Sequence, residues 1–331
     1  MTTPQAPGSA HLPESRSTPA AGPGGALTGG APAPAAAALP LSPAPMPYDL
    51  TLSDLTLRQA SFATRVNAAA MAGFGGIGLS VSHYHQARAE GLSDADLLAL
   101  LAEHGLRLDE VELAQAWADP SVYSEEEREA DGELLALAAR LGVRRIHAEL
   151  LDEFPVGTYV AGLRELCARA ADSGALVAVE YMPYAGVYGP GLDWTVVEAS
   201  EAENAGILID TWHWARAYSP DEQEAKLAEV PADRIAGVQL SDALAEPAPR
   251  VRHESAHLRQ LPGLGYADLR GLLNRLQAHG TQAPVSVEVQ SDALDSQPPA
   301  LSAHQAYVTA SAVLERAGWP CDAPAARVSV L

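Results

Sequence analysis

Lysine is almost missing from this chain: Lys226 is the only one among 331 residues. It falls in 222–230, a polar stretch with helical spacing, where a solvated surface charge is expected. Without a lysine at a strand end, Schiff-base aldolase chemistry and a phosphate-cradling P-loop have no residue to use. Cysteine is nearly as scarce. Cys167 and Cys321 stand far apart with no metal-ligand spacing, which excludes a disulfide framework and a thiolate zinc site. Positive charge is short overall, with 21 Lys and Arg against 42 Asp and Glu and a formal net charge of −21. Such a field repels a phosphate backbone, and no run of arginine offsets it, so no nucleic-acid partner is expected. No window approaches the roughly 18 to 20 apolar residues of a membrane span. The N-terminus lacks a basic region, and its most apolar stretch, 35–41, is short and broken by proline. A cytoplasmic protein with no membrane partner is therefore expected.

The first 47 residues differ from the rest. They hold 11 of the 25 prolines, long Ala and Gly runs, and only Glu14 and Arg16 as charges. That composition cannot bury enough apolar surface to offset ordering entropy, so 1–47 reads as a disordered tail. A single domain is expected over 48–320, with 321–331 as a C-terminal tail. Within it, apolar or β-branched runs at 57–63, 76–81, 107–114, 144–151, 176–182, 207–211, 235–240 and 285–289 read as strands. Helical patterns alternate with them near 64–73, 93–104, 125–141, 158–173, 193–204, 220–229, 266–279 and 302–317. Gly73, Gly105, Gly174, Gly206 and Gly280 follow helical patterns as stop signals. Eight strand–helix units over about 260 residues predict an α/β fold, a closed (β/α)₈ TIM barrel. The other arrangement of such units, a doubly wound open sheet, would carry a Gly-rich turn after its first strand, and 60–64 has none.

In such a barrel, chemistry sits at the C-terminal ends of the strands. The last four strands each place a ligand-type side chain after an apolar run: Val-Ala-Val-Glu180, Ile-Leu-Ile-Asp210, Ala-Gly-Val-Gln239 and Val-Ser-Val-Glu288. One such carboxylate would read as a cap or loop anchor. Four at matching places on consecutive strands converge on one point, and a cation relieves their mutual repulsion. Glu180, Asp210, Gln239 and Glu288 are thus candidate metal ligands. Three carboxylates and an amide oxygen suit one divalent ion, Mn²⁺ or Mg²⁺ before Zn²⁺.

Four segments carry a resemblance: Asp210-Thr-Trp-His213, Val238-Gln-Leu-Ser-Asp242, Arg259-Gln-Leu-Pro-Gly-Leu-Gly265 and Ser286-Val-Glu-Val289. Over roughly 57–317 the chain resembles the sugar phosphate isomerase/epimerase family of the xylose-isomerase-like barrel superfamily. That superfamily also holds inosose and 3-dehydroshikimate dehydratases and endonuclease IV enzymes. The resemblance implies that Glu180, Asp210, Gln239 and Glu288 occupy ligand positions and that His213 and Arg259 contact substrate. It also implies a small sugar-like substrate and a homodimer. Many sugar epimerases of the family carry His where this chain has Gln239, whereas the 3-dehydroshikimate dehydratase branch is similar to this chain in using Gln.

Other candidates keep two readings each. His213 is a substrate contact or a packing residue beside Trp212 and Trp214. Arg259, ahead of a rigid Pro-Gly-x-Gly turn, is a fork for substrate oxygens or a surface ion pair. His83 and His85 follow strand two and are candidates for the mouth, His83 as a substrate contact. Glu149 faces the mouth or packs outward, Trp117 walls the pocket or fills the core, and Asp242 anchors a loop.

With a metal-bound carbonyl, Glu180 and Glu288 would act as general base and acid on the adjacent carbon. Returning the proton gives an isomerase or epimerase, the expectation that superfamily breadth favours. Losing a β-hydroxyl, with His213 as acid, gives a dehydratase, towards which Gln239 pulls. A repair endonuclease would need a His-rich multi-zinc site and a basic face. A non-catalytic sugar-binding barrel would not need a metal flanked by two glutamates.

Overall fold

A computed structural model describes residues 48–184 and 191–320, so the expected tails 1–47 and 321–331, and Cys321 with them, lie outside the described residues. Eight parallel strands close into a barrel in chain order. They are β1 (Leu50–Leu52), β2 (Gly76–Ser80), β3 (Arg107–Ala114), β4 (Arg145–Leu150), β5 (Leu176–Tyr181), β6 (Ala205–Asp210), β7 (Ile235–Leu240) and β8 (Val285–Val287). β8 returns to β1 through the register Leu50↔Val285, Thr51↔Ser286 and Leu52↔Val287. Helices follow the strands, and the core lies between the two layers. No helix among the described residues is long and apolar enough to cross a membrane.

Two expectations are corrected. The first strand is Leu50–Leu52, not 57–63. Ser53 caps the 3₁₀ turn Asp54–Leu57, and Ser61 caps the helix Phe62–Ala72, so the apolar run 57–63 is divided between a turn and a helix start. A three-residue strand is too short to show a pattern of its own. Gly206 is not a helix stop either: it lies inside β6, and the preceding helix, Leu192–Ser200, ends on a left-handed Glu201. A Cβ at Gly206 would fall 2.6 Å from the Arg234 carbonyl oxygen, so glycine is needed there for close approach. The other expected stops, Gly73, Gly105, Gly174 and Gly280, all have positive φ.

Four short helices were not legible in the sequence: Val81–Ala89, Thr211–Ala217, Val251–His257 and Asp292–Asp295. The first two begin on the residue next after a strand, and all four lie in strand-to-helix connections, where a barrel builds its site.

Candidate metal centre

Glu180 and Asp210 come from the ends of β5 and β6, Gln239 from β7, and Glu288 from the first position past β8. None is more than 2% exposed. The folding of β6 into the helix Thr211–Ala217 is local: Asp210 is the N-cap, and its Oδ1 accepts the His213 N–H at 2.9 Å. That cap turns the His213 ring back over the strand end. Its Nδ1 then lies 3.0 Å from Glu180 Oε1.

The four expected ligands are brought together with His213 and Arg259. Gln239 Nε2 donates to Glu288 Oε1 at 2.9 Å. Arg259 Nη1 bridges Asp210 Oδ2 and Glu288 Oε2, the latter at 2.9 Å. Nη1 also faces Ser241 Oγ at 3.3 Å, while Nε donates to the Ser255 carbonyl (2.8 Å) and Nη2 to Ser255 Oγ (3.1 Å) and His213 Nε2 (3.2 Å). All five of its N–H groups are therefore spent inside the protein. A substrate oxygen would have to exchange with one of those partners.

The donor set fits a divalent ion. Ligand atoms of Glu180, Asp210 and His213 all lie within 4.8 Å of one another. Glu180 Oε1 and His213 Nδ1 are close but not aligned for a hydrogen bond, and Gln239 Oε1 is buried with no partner. Buried polar atoms left unsatisfied at the ends of neighbouring strands are costly unless something binds them. His213, which the sequence reading placed on the substrate side, presents its Nδ1 to the same group. Asp210 and Glu288 are the expected ligands whose two oxygens are both taken, Asp210 by the His213 N–H and Arg259, Glu288 by Gln239, Ser53 and Arg259.

The electrostatics follow from burial. Burial alone would raise Asp210, but the Arg259 guanidinium outweighs it and holds the carboxyl below its usual range. Glu288 goes the other way: burial pushes it well above the ordinary carboxylate value, and the charges of Glu180, Asp210 and Glu112 add to this against Arg259. Glu149 faces the interior opposite Glu180 in the β4–β5 register. Burial, then the Glu180 charge, raises it to about 8, and its Oε2 accepts from Gln115 Nε2 at 2.6 Å.

Several candidates sit elsewhere. His83 is tied to the loop after β1, its Nδ1 on Asp54 and its Nε2 2.9 Å from the Arg58 carbonyl oxygen. Neither ring nitrogen is spare for a substrate in that arrangement. His85 is exposed and pairs with Glu133 at 3.0 Å, away from the mouth. Trp117 is buried against Tyr159 and donates to the Glu149 carbonyl oxygen at 3.0 Å, so it braces β4 from the core. Asp242 anchors a loop, accepting N–H bonds from Ala243, Gly263, Gly265 and Ala267.

Sequence reasoning missed Tyr184, Ser255, Ser53 and Glu112. The Tyr184 ring stands edge-on to His213, with centroids 6.0 Å apart. Ser255 holds both His213 and Arg259. One signal was present: Glu110 and Glu112, then His147 and Glu149, alternate along strands that a parallel barrel buries on both faces.

Residues 66–316 match the description of the xylose isomerase-like TIM barrel. Over 137 residues the chain is 31% identical to a 3-dehydroshikimate dehydratase of Pseudomonas aeruginosa, a match taking in 41% of this chain and 21% of that protein. The chain thus spans about a fifth of that relative's length. A solved structure of the IOLI protein with a bound zinc atom superposes with a TM-score of 0.70 at 17% identity, covering 81% of this chain and 98% of that one. A D-allulose 3-epimerase from Methylomonas sp. does so with a TM-score of 0.60, also at 17% identity, covering 81% and 98%. Likeness at such identities shows the fold alone. The family description, by contrast, spans most of the barrel, and the chain belongs to the xylose isomerase-like TIM barrel family.

Proposed function

We propose that the protein is a divalent-metal-dependent dehydratase of a cyclic polyhydroxy ketone, with a 3-dehydroshikimate-like compound as its substrate class. The observation that carries the reading is the Glu180–His213 pair, 3.0 Å apart, with the Gln239 carbonyl oxygen unpartnered on the strand next to Asp210. Glu180, Asp210, Gln239 and Glu288 would hold the ion once Arg259 yields the Asp210 and Glu288 oxygens it bridges, with the His213 ring beside them left free to carry a proton on Nδ1. An ion there, Mn²⁺ or Mg²⁺ by the oxygen-rich set, supplies Lewis-acid polarisation of the substrate carbonyl. Glu180 removes the proton from the adjacent carbon. The C–H electron pair forms the new C=C bond, and the β C–O bond breaks. The departing hydroxyl takes its proton from His213, and water leaves. His213 Nδ1 lies 3.0 Å from Glu180 Oε1, so a small turn of the ring would let the proton taken from carbon replace the one given away.

Three things support dehydration over epimerisation: Gln239, the likeness to a 3-dehydroshikimate dehydratase, and Arg252. Arg252 is exposed, lies 6.0 Å over the Tyr184 ring, and has no ion pair among the described residues, which suits a substrate carboxylate. This reverses the order that superfamily breadth favoured. Epimerisation or isomerisation of a ketose stands as the second reading, favoured by Glu288, whose raised proton affinity fits it to return a proton from another side.

The test is turnover of 3-dehydroshikimate, inosose and ketoses with Mn²⁺ in D₂O, followed by NMR. Dehydration of the cyclic ketones is expected, abolished by chelator and by Glu180→Gln. Deuterium entering a ketose without loss of water would move the assignment to the epimerase reading. Full turnover in chelator would remove both.

A further inference from the structure

Beneath the candidate centre the barrel interior is charged, where barrels of this kind are mostly filled with branched apolar side chains. Glu110 and Glu112 of β3 and Arg145 and His147 of β4 are all buried. Arg145 Nη2 donates to Glu110 Oε2 at 2.7 Å, and His147 Nε2 lies 3.3 Å from that same oxygen. His147 Nδ1 is 3.5 Å from Glu112 Oε2. The other Glu112 oxygen, Oε1, accepts the Asp54 N–H at 2.9 Å and faces Ser53 Oγ at 3.3 Å. Ser53 Oγ is also 3.3 Å from Glu288 Oε1. One polar line thus runs from Arg145 to Glu288 across the barrel.

The line is built for. Glu112 reaches past β2 to the end of β1, and β2 passes it at Gly78, where a Cβ would stand 3.0 Å from Glu112 Oε1 and from the Asp54 nitrogen. Glycine clears that passage. Burial pulls His147 down, but the flanking Glu110 and Glu112 groups raise it to about 10, which favours the charged imidazole beside them. Buried charges of this kind seldom beat apolar filling for stability. What they fix is orientation.

We infer that Ser53 and Glu112 are positioning residues for Glu288: Glu112, braced by His147, holds the turn after β1 so that the Ser53 hydroxyl fixes the Glu288 carboxylate. The inference rests on the reading of Glu288 as a metal ligand. Groups that orient a ligand typically govern metal affinity by about 10- to 100-fold.

The experiment is calorimetric titration of Mn²⁺ into the full chain, with melting temperature in EDTA as the control for folding. Ser53→Ala is expected to weaken Mn²⁺ binding about 10-fold or more while moving the EDTA melting temperature little. Ser53→Thr, which keeps the hydroxyl, is expected to recover most of the loss, and Glu112→Gln to show a smaller loss in the same direction. Wild-type affinity in both Ser53→Ala and Glu112→Gln overturns the inference alone. Wild-type protein that binds no Mn²⁺ overturns the metal reading and the inference together. If Ser53→Ala does not fold, Glu112→Gln decides: unchanged affinity overturns the inference.

Discussion

Among single residues, Glu149 is the sharpest probe of how far burial governs this interior. Its carboxyl moves from the usual 4.5 to about 8, first through burial and then through the Glu180 charge. Below about 4.5 the folded and unfolded chains both hold this proton. Between there and about 8 the unfolded chain releases it while the folded one keeps it, so stability falls as pH rises. In EDTA, urea unfolding of the wild type is expected to show that decline between pH 5 and pH 8, on the order of a few kcal/mol. Glu149→Gln should flatten it and be the more stable protein at pH 8. A wild-type slope that Glu149→Gln leaves unchanged would assign the titration to another group. Arg259 shows the complementary effect, since its guanidinium neutralises Asp210 and Glu288 in a space with no solvent to do so.

For elements, the connection from β7 to the helix Leu269–His279 matters most, because it carries Arg259. Asp242, just past β7, gathers four N–H groups from Ala243, Gly263, Gly265 and Ala267 and pairs as a bridge with Gln260. The loop is a structure closed around one carboxylate. Asp242→Ala leaves those donors to water or to nothing and is expected to cost about 2–4 kcal/mol in denaturant unfolding. Weaker substrate saturation should follow as Arg259 loosens, with the barrel's circular dichroism unchanged. A variant as stable as wild type would mean that the glycine turn holds itself. The helix Val251–His257 acts on the same loop from the other side. Its Glu254 takes Trp212 Nε1 at 3.1 Å and pairs with Arg216, while Ser255 bonds Arg259 directly.

For the whole molecule, the proposed function requires that a divalent ion stabilise the fold. At a concentration of 100 times its dissociation constant, Mn²⁺ is expected to add about 2.7 kcal/mol to unfolding free energy, read by melting in Mn²⁺ against EDTA. Exchange of Arg259 away from Asp210 and Glu288 opposes this and lowers the apparent affinity. No shift with Mn²⁺, Mg²⁺ or Zn²⁺ would sink the metal reading.

The strand-end candidates Glu180, Asp210, Gln239 and Glu288 were legible as a converging set because each breaks an apolar run at the place where a parallel barrel opens. Barrel class was legible from the alternation of the two periodicities, which is a local property. β1 was not, since three residues give no period and its strand status comes from its pairing with β8 on one side and β2 on the other. Nor were the partners of Arg259, the withdrawal of His83 onto Asp54, or the line from His147 through Glu112 and Ser53. Those depend on which side chains face each other across a closed interior. Sequence spacing fixes the face of a strand on which a residue stands. Only closure of the barrel decides what stands opposite, and in a space without water that neighbour sets the charge each group can hold.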